Sequence, residues 1–142
     1  MKATNYISLN KPTLIIYGPT ASGKTALAIR LAKKINGELI SSDSRQIYKK
    51  LDIGTGKVSL EDKPKKENEF WEVDGVKIYG FDQIEPGKDF SAAKYLKYAD
   101  KQIKRIKSEN KIPIIVGGTG FYIKAQIEGI ETIGIKSNKK LR

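Results

Sequence analysis

The sequence contains no cysteine and no histidine. Those two absences exclude a disulfide framework, Cys/His zinc sites, thiol nucleophiles and histidine general bases. No run of 18 or more apolar residues is present, so no segment reads as a membrane-spanning helix. Met1 to Pro12 lacks the apolar core of a signal peptide. A soluble, cytoplasmic protein with no membrane partner is the expectation. Hydrophobic residues make up 39%, below a usual average of about 45–50% that also counts glycine. That suffices for one modest core, and 142 residues are one domain's length.

Acidic residues are also few. Asp and Glu number 16 against 27 Lys and Arg, which leaves a net charge of +11. Such a surplus suits a polyanionic partner. It equally suits a biased composition, because 23 of the basic residues are lysines. Charge alone leaves both readings open.

The apolar pattern alternates between two periods. Thr13 to Tyr17 and Ile112 to Val116 are short continuous apolar runs that read as buried strands. Glu38 to Ser41 and Val76 to Tyr79 are further strand candidates. Leu27, Ala28, Leu31, Ala32 and Ile35 fall at helical spacing within 24–35, and Asn36-Gly37 supplies a stop. Ala92, Leu96, Ala99, Ile103 and Ile106 mark a second amphipathic helix after Ser91, with Lys97, Lys101, Lys104 and Lys111 pointing elsewhere. Phe121 to Ile130 reads as a third helix. Lys57 to Asn68 reads as an exposed loop or short helix. Strands alternating with helices predict an α/β domain with a parallel sheet flanked by helices.

Gly18-Pro19-Thr20-Ala21-Ser22-Gly23-Lys24-Thr25 matches G-x-x-x-x-G-K-[ST] in full, between a predicted strand and a predicted helix. Its glycines let backbone N–H groups wrap a phosphate, and the helix N-terminus adds positive potential. Lys24 adds a formal charge, and the Thr25 hydroxyl can ligate a Mg2+ ion that bridges phosphate oxygens. The loop does not distinguish ATP from another diphosphate.

Two more segments follow strand ends. Ser41 to Gln46 places Asp43 where a parallel sheet binds ligands. With no histidine or cysteine, Asp43 is the best-placed general base. It also fits a helix N-cap with Gln46 three residues on, which resembles a capping box. Gly117-Gly118-Thr119-Gly120 permits close backbone approach to a ligand, or makes a tight turn into the next helix. The strand before it ends in Gly117, where a usual P-loop NTPase has a magnesium-site Asp.

Taken in order, four blocks resemble the tRNA dimethylallyltransferase (isopentenyl-tRNA transferase) family. They are Gly18 to Thr25, Ser42 to Tyr48, Leu51 to Lys57 and Pro113 to Tyr122. Phe90-Ser91-Ala92-Ala93 fits as well. The resemblance implies a P-loop-containing nucleoside triphosphate hydrolase-like fold over residues 1–142. It implies transfer of a dimethylallyl group from dimethylallyl diphosphate to N6 of the adenosine beside the anticodon (position 37) of certain tRNAs. Residues 18–25 then hold the donor's diphosphate, with Lys24 and Mg2+ at Thr25 stabilising the leaving group. Asp43 takes the adenine amine proton, and Thr119 lies at the reacting centre. Ser44, Arg45 and Gln46 contact the target nucleotide, which leaves its stack to react. Leu141-Arg142 resembles the surroundings of a tRNA-contacting arginine. Two positions depart from the family pattern: Lys50 stands where glycine is usual, and Gly56 where alanine is usual. The family's longer chains continue into a tRNA-holding part that lies beyond this sequence. A monomer is expected, with a complementing chain as one source of that part. A small-molecule kinase or NTPase, or an inactive tRNA- or diphosphate-binding remnant, remain the alternative readings.

Overall fold

The computed structural model of the chain describes residues 11–19, 22–50, 62–118 and 120–128. The element order is β1 (Leu14–Tyr17), α1 (Lys24–Ile35), β2 (Gly37–Ser41), β3 (Lys65–Lys66), β4 (Phe70–Val73), β5 (Val76–Tyr79), α2 (Ala92–Ser108), β6 (Ile112–Gly117) and α3 (Gly120–Glu128). These strands form one sheet in the order β1-β6-β2-β5-β4-β3. Four neighbours, β1, β6, β2 and β5, run parallel. The parallel sheet of the sequence reading therefore holds for these four of its six strands. The last two strands add antiparallel, so the whole sheet is mixed.

That antiparallel addition comes from a hairpin. Asp74 and Gly75 both take positive φ, at 54° and 78°, which is the backbone twist a two-residue hairpin requires. The Asp-Gly pair was the legible signal for β4, which lies outside the strands expected above. Residues 65–66, expected as loop or short helix, lie exposed along the open edge of β4 as β3.

β6 is apolar along its length because helices cover both of its faces. On one face Leu39, Ile78, Ile114 and Val116 pack with Ala28, Ile29 and Ala32 of α1. On the other, Ile40, Tyr79 and Ile115 pack with Tyr95, Ala99, Ile103 and Ile106 of α2 and Tyr122 of α3. The buried stripe of α1 differs from the predicted one. It runs through Ala28, Ile29 and Ala32, while Leu27 is 49% exposed. On α2 the stripe includes Tyr95 and Gln102, and Leu96 is only half-buried. α1 ends at Ile35 as expected, but its left-handed cap is Asn36, at φ 56°. Gly37 already belongs to β2, where a Cβ would lie 2.9 Å from the Ile112 carbonyl oxygen.

At the opposite end of β2 from the glycine-rich loop, Glu38 is buried against Lys111, 2.7 Å away. Lys111 was read as pointing elsewhere; it instead partners a carboxylate inside the fold. The hydrogen bond to Glu38 is the main reason the Lys111 ammonium titrates above its ordinary range. Lys111→Met removes the ammonium that pairs with the buried Glu38 side chain, and the expected cost is about 3 kcal/mol, the lower end for a broken buried pair. Denaturant unfolding at neutral pH measures it. Because the folded-state pKa is raised, this stabilisation is complete below about pH 10.4 and is lost as pH climbs through the raised value.

Lys50 sits at φ 64°, a left-handed conformation that glycine adopts without penalty. Lys50→Gly is therefore expected to stabilise the fold by about 0.5 kcal/mol, after the entropy glycine loses on folding is subtracted. A melting temperature raised by about 2 °C is the matching readout.

Candidate functional site

Three loops leave the carboxyl ends of β1, β2 and β6 and meet at one sheet edge. The first runs from Gly18 to Gly23, which caps α1 in the left-handed region at φ 80°. No side chain caps this helix, and its first turn carries no acidic residue. Its N-terminal N–H groups thus keep the positive end of the helix dipole unneutralised. Ser22 Oγ donates to the Pro19 carbonyl at 2.7 Å, and Lys24 Nζ donates to the same oxygen at 2.9 Å. Lys24 is half-buried and folds back over its own loop. Thr25 occupies the first turn of α1. Thr20 and Ala21 lie outside the described residues.

The second loop starts at Ser42. Its backbone N–H donates to the Val116 carbonyl at 2.8 Å, which continues the β2–β6 pairing one residue past β2. Asp43 follows, nearly buried at 9% exposure. Its Oδ1 accepts the N–H of Arg45 at 2.8 Å and of Gln46 at 3.3 Å. The expected helix start is instead a four-residue turn over 44–47, with Asp43 accepting the two N–H groups as a cap would. The same two bonds fix the carboxylate at the sheet edge, so capping and a chemical role are compatible. Ser44 and Arg45 are exposed. Gln46 turns inward, where its Oε1 accepts from Ser41 Oγ at 2.7 Å. Downstream, Gln83 and Ile84 donate to the Ile47 carbonyl, and Lys49 donates to the Ile84 carbonyl.

The third loop begins at Gly117. A Cβ here would fall 2.2 Å from the Ser42 carbonyl oxygen and 2.6 Å from its carbon. Only glycine lets the two loops approach this closely. At Gly118 a Cβ would lie 3.0 Å from the Gly18 carbonyl oxygen and 3.7 Å from Lys24 Nζ. The 117–118 backbone is therefore wedged between the Asp43 turn and the glycine-rich loop. Thr119 lies outside the described residues, as do 51–57 and Arg142.

Sequence reasoning missed an aromatic floor beneath this edge. Tyr95 of α2 and Tyr122 of α3 stack with centroids 4.5 Å apart and planes at 9°. Burial raises the Tyr122 pKa, and the charges of Tyr48 and Asp43 raise it further. Tyr122 also donates to the Phe90 carbonyl at 3.2 Å. The predicted stripe on α2 counted aliphatic side chains only, and Tyr95 lies on that same face. Beyond the floor, an open cleft of about 670 Å³ is lined by Ile84, Phe90 and the lysines Lys88, Lys94 and Lys97, among others.

The fold and site define a P-loop α/β domain with a carboxylate loop and a double-glycine strand end converging on the glycine-rich loop. A family model described as IPP transferase matches residues 46–142. The chain belongs to the IPP transferase family. It is 47% identical over 121 residues to a tRNA dimethylallyltransferase of Lachnoclostridium phytofermentans, covering 85% of this chain and 36% of that one. With the Staphylococcus haemolyticus tRNA dimethylallyltransferase the identity is 50% over 120 residues, or 84% of this chain and 33% of the relative. Among solved structures, the full-length tRNA isopentenylpyrophosphate transferase of Bacillus halodurans superposes with a TM-score of 0.76 at 36% identity, covering 93% of this chain and 40% of that one. A eukaryotic dimethylallyltransferase acting on tRNA gives 0.74 at 30% identity, covering 92% and 31%. The chain spans about a third of the length of the curated relatives it matches.

Gly117→Ala is expected to cost about 3 kcal/mol, the upper end for overpacking, because the obstruction is backbone and cannot rotate away. Gly118→Ala meets its nearest atom at 3.0 Å and should cost clearly less. Parallel denaturant titrations of the two variants check the ranking.

Proposed function

We propose that this chain is the donor-binding part of a tRNA dimethylallyltransferase. In this reading a dimethylallyl group passes from dimethylallyl diphosphate to N6 of the adenosine beside the anticodon. The observation that carries it is the convergence of Lys24, Asp43 and the Gly117-Gly118 backbone at one sheet edge, on a family member's fold. N6 attacks the allylic carbon, the carbon–oxygen bond breaks, and its electron pair leaves with the diphosphate. The proton lost from N6 goes to Asp43. Oδ1 already holds two backbone N–H groups, so Oδ2 is assigned as the acceptor. The backbone N–H groups of 18–25 and the Lys24 ammonium hold the charge that develops on the leaving diphosphate.

Mg2+ fits this donor set through Thr25. Among the described residues no group of three or more acidic side chains could hold a metal. One hydroxyl beside a diphosphate is the sparse protein contribution that Mg2+ accepts when phosphates and water complete its shell. When bound, the ion neutralises diphosphate charge.

The tRNA is assigned to the side of Ser44 and Arg45, with Thr119 at the reacting centre and Arg142 as a further contact. The lysine-lined cleft along the start of α2 extends that surface towards a phosphate backbone, and the net charge of +11 makes such binding strongly salt-dependent. Against a kinase reading stands β6, which ends in glycine and not in a magnesium-site acid.

Calorimetric titration of the purified chain tests the assignment, using dimethylallyl diphosphate with Mg2+ and, separately, ATP with Mg2+. The prenyl diphosphate is expected to bind more tightly, and Lys24→Ala to weaken it at least tenfold. Binding of ATP alone transfers the assignment to a nucleotide-dependent enzyme. Binding of neither overturns the donor-site reading.

A further inference from the structure

The lysine-lined cleft reaches only the first turns of α2. The outer face of the helix beyond it has no role in the chemistry above. Along its whole length α2 carries one acid, Asp100, against six basic residues. Lys94, Lys97, Lys101 and Lys104 are all exposed. Their spacing of three, four and three residues lines them up on one side of the helix, over about 15 Å. Lys104 lies 3.7 Å from Asp100, and Lys97 and Lys101 form no ion pair among the described residues. A helix face that only meets water usually mixes signs, with an acid four residues from a lysine. Here Lys97 and Lys101 are like charges four residues apart, an arrangement that costs helix stability. A lysine-rich composition accounts for the number of lysines but not for this sorting.

The stripe begins beside the candidate site. The Tyr48 hydroxyl donates to the Lys88 carbonyl at 2.8 Å, and Lys49 pairs with Glu85 at 2.8 Å. These bonds tie the approach to α2 to the segment that follows the Asp43 turn. Asp89 also lines the cleft, so the positive charge is least diluted further along, on the helix. We propose that Lys94, Lys97, Lys101 and Lys104 form a docking track for the base-paired stem next to the target adenosine of the RNA substrate. Aromatic residues decide between a paired stem and a loose strand. Tyr95 and Tyr98, the aromatics of α2, pack into the core, so the face offers ammonium groups and no ring for a base. Single-strand sites combine charge with stacking platforms. A paired stem turns its phosphates outward and needs charge alone. The identity of the partner rests on the reading of this chain as part of a tRNA-modifying enzyme.

The test measures binding of the full chain to a fluorescent RNA hairpin carrying an anticodon stem and loop, across a range of salt concentrations. Lys97→Gln with Lys101→Gln is expected to weaken binding about tenfold and to lower the slope of log affinity against log salt by about two. Lys33→Gln with Lys34→Gln removes the same charge from α1, on the opposite face of the sheet, and should change affinity less than twofold. Lys97→Arg with Lys101→Arg keeps the charge and should bind as the unmodified chain does. The melting temperature of the glutamine variant should hold or rise, since a like-charge pair is relieved. An equal loss in the α1 variant overturns the proposal, because net charge then suffices. So does failure of the unmodified chain to bind the hairpin at low salt, or failure of the arginine variant to restore binding. An equal loss for the same RNA sequence held unpaired overturns the stem assignment. Tighter, stripe-dependent binding to phosphatidylserine vesicles than to the hairpin overturns the RNA assignment. Affinity for dimethylallyl diphosphate should be the same in every variant. If the track behaves as expected and the unmodified chain binds no prenyl diphosphate, the track stands and the donor-site reading falls. If the donor binds and the hairpin ignores the stripe, the donor-site reading stands and the track falls.

Discussion

The close approach of Gly117 to the Ser42 carbonyl is the constraint on which the rest of the site depends. Two parallel strands normally diverge into their loops once the ladder ends. Here β2 and β6 stay paired one residue longer, through the Ser42 N–H and the Val116 carbonyl, and the missing side chain at 117 lets the loops touch. This contact sets the distance between the Asp43 turn and the Gly118 backbone. Gly118 in turn borders Gly18 and Lys24. The carboxylate and the ammonium are thus placed relative to each other by backbone packing and not by a direct bond. Backbone packing has few alternative arrangements, so the geometry does not rely on flexible side chains.

Sequence periodicity located most of this architecture. The bounds of α1 and the course of β6 follow from residue spacing, because both pack tightly on apolar neighbours. The glycine-rich loop was legible because its residue types are dictated by backbone shape. Gly117 was marked as a point of close approach, but what it approaches could not be read: that depends on the register of β2 against β6. The antiparallel hairpin was missed although Asp74-Gly75 signals it, since a half-exposed four-residue strand has a weak pattern. Tyr95 escaped because a tyrosine on an amphipathic stripe counts equally as surface or core. Lys111 escaped because its partner, Glu38, lies 73 residues away in sequence.

Polar groups divide the sheet into two ends with different duties. At the carboxyl end, charges are held by backbone atoms: Asp43 by two N–H groups and Lys24 by a carbonyl. At the other end, Glu38 and Lys111 hold each other, which leaves that end a fastening for β2 and β6. The usual α/β separation of a reactive edge from a stabilising edge is thereby built with few charges.

The sheet's two outer strands also treat approaching chains differently. β3 is two lysines long and exposed, so a neighbouring strand meets ammonium groups before it meets backbone. Short, charged edge strands are a common defence against pairing between molecules. β1 has no such guard: Ile15 is 37% exposed and Tyr17 is 62% exposed, and among the described residues it pairs with β6 alone. Among the described residues, β1 is thus the outer strand whose backbone lies open without a charged guard.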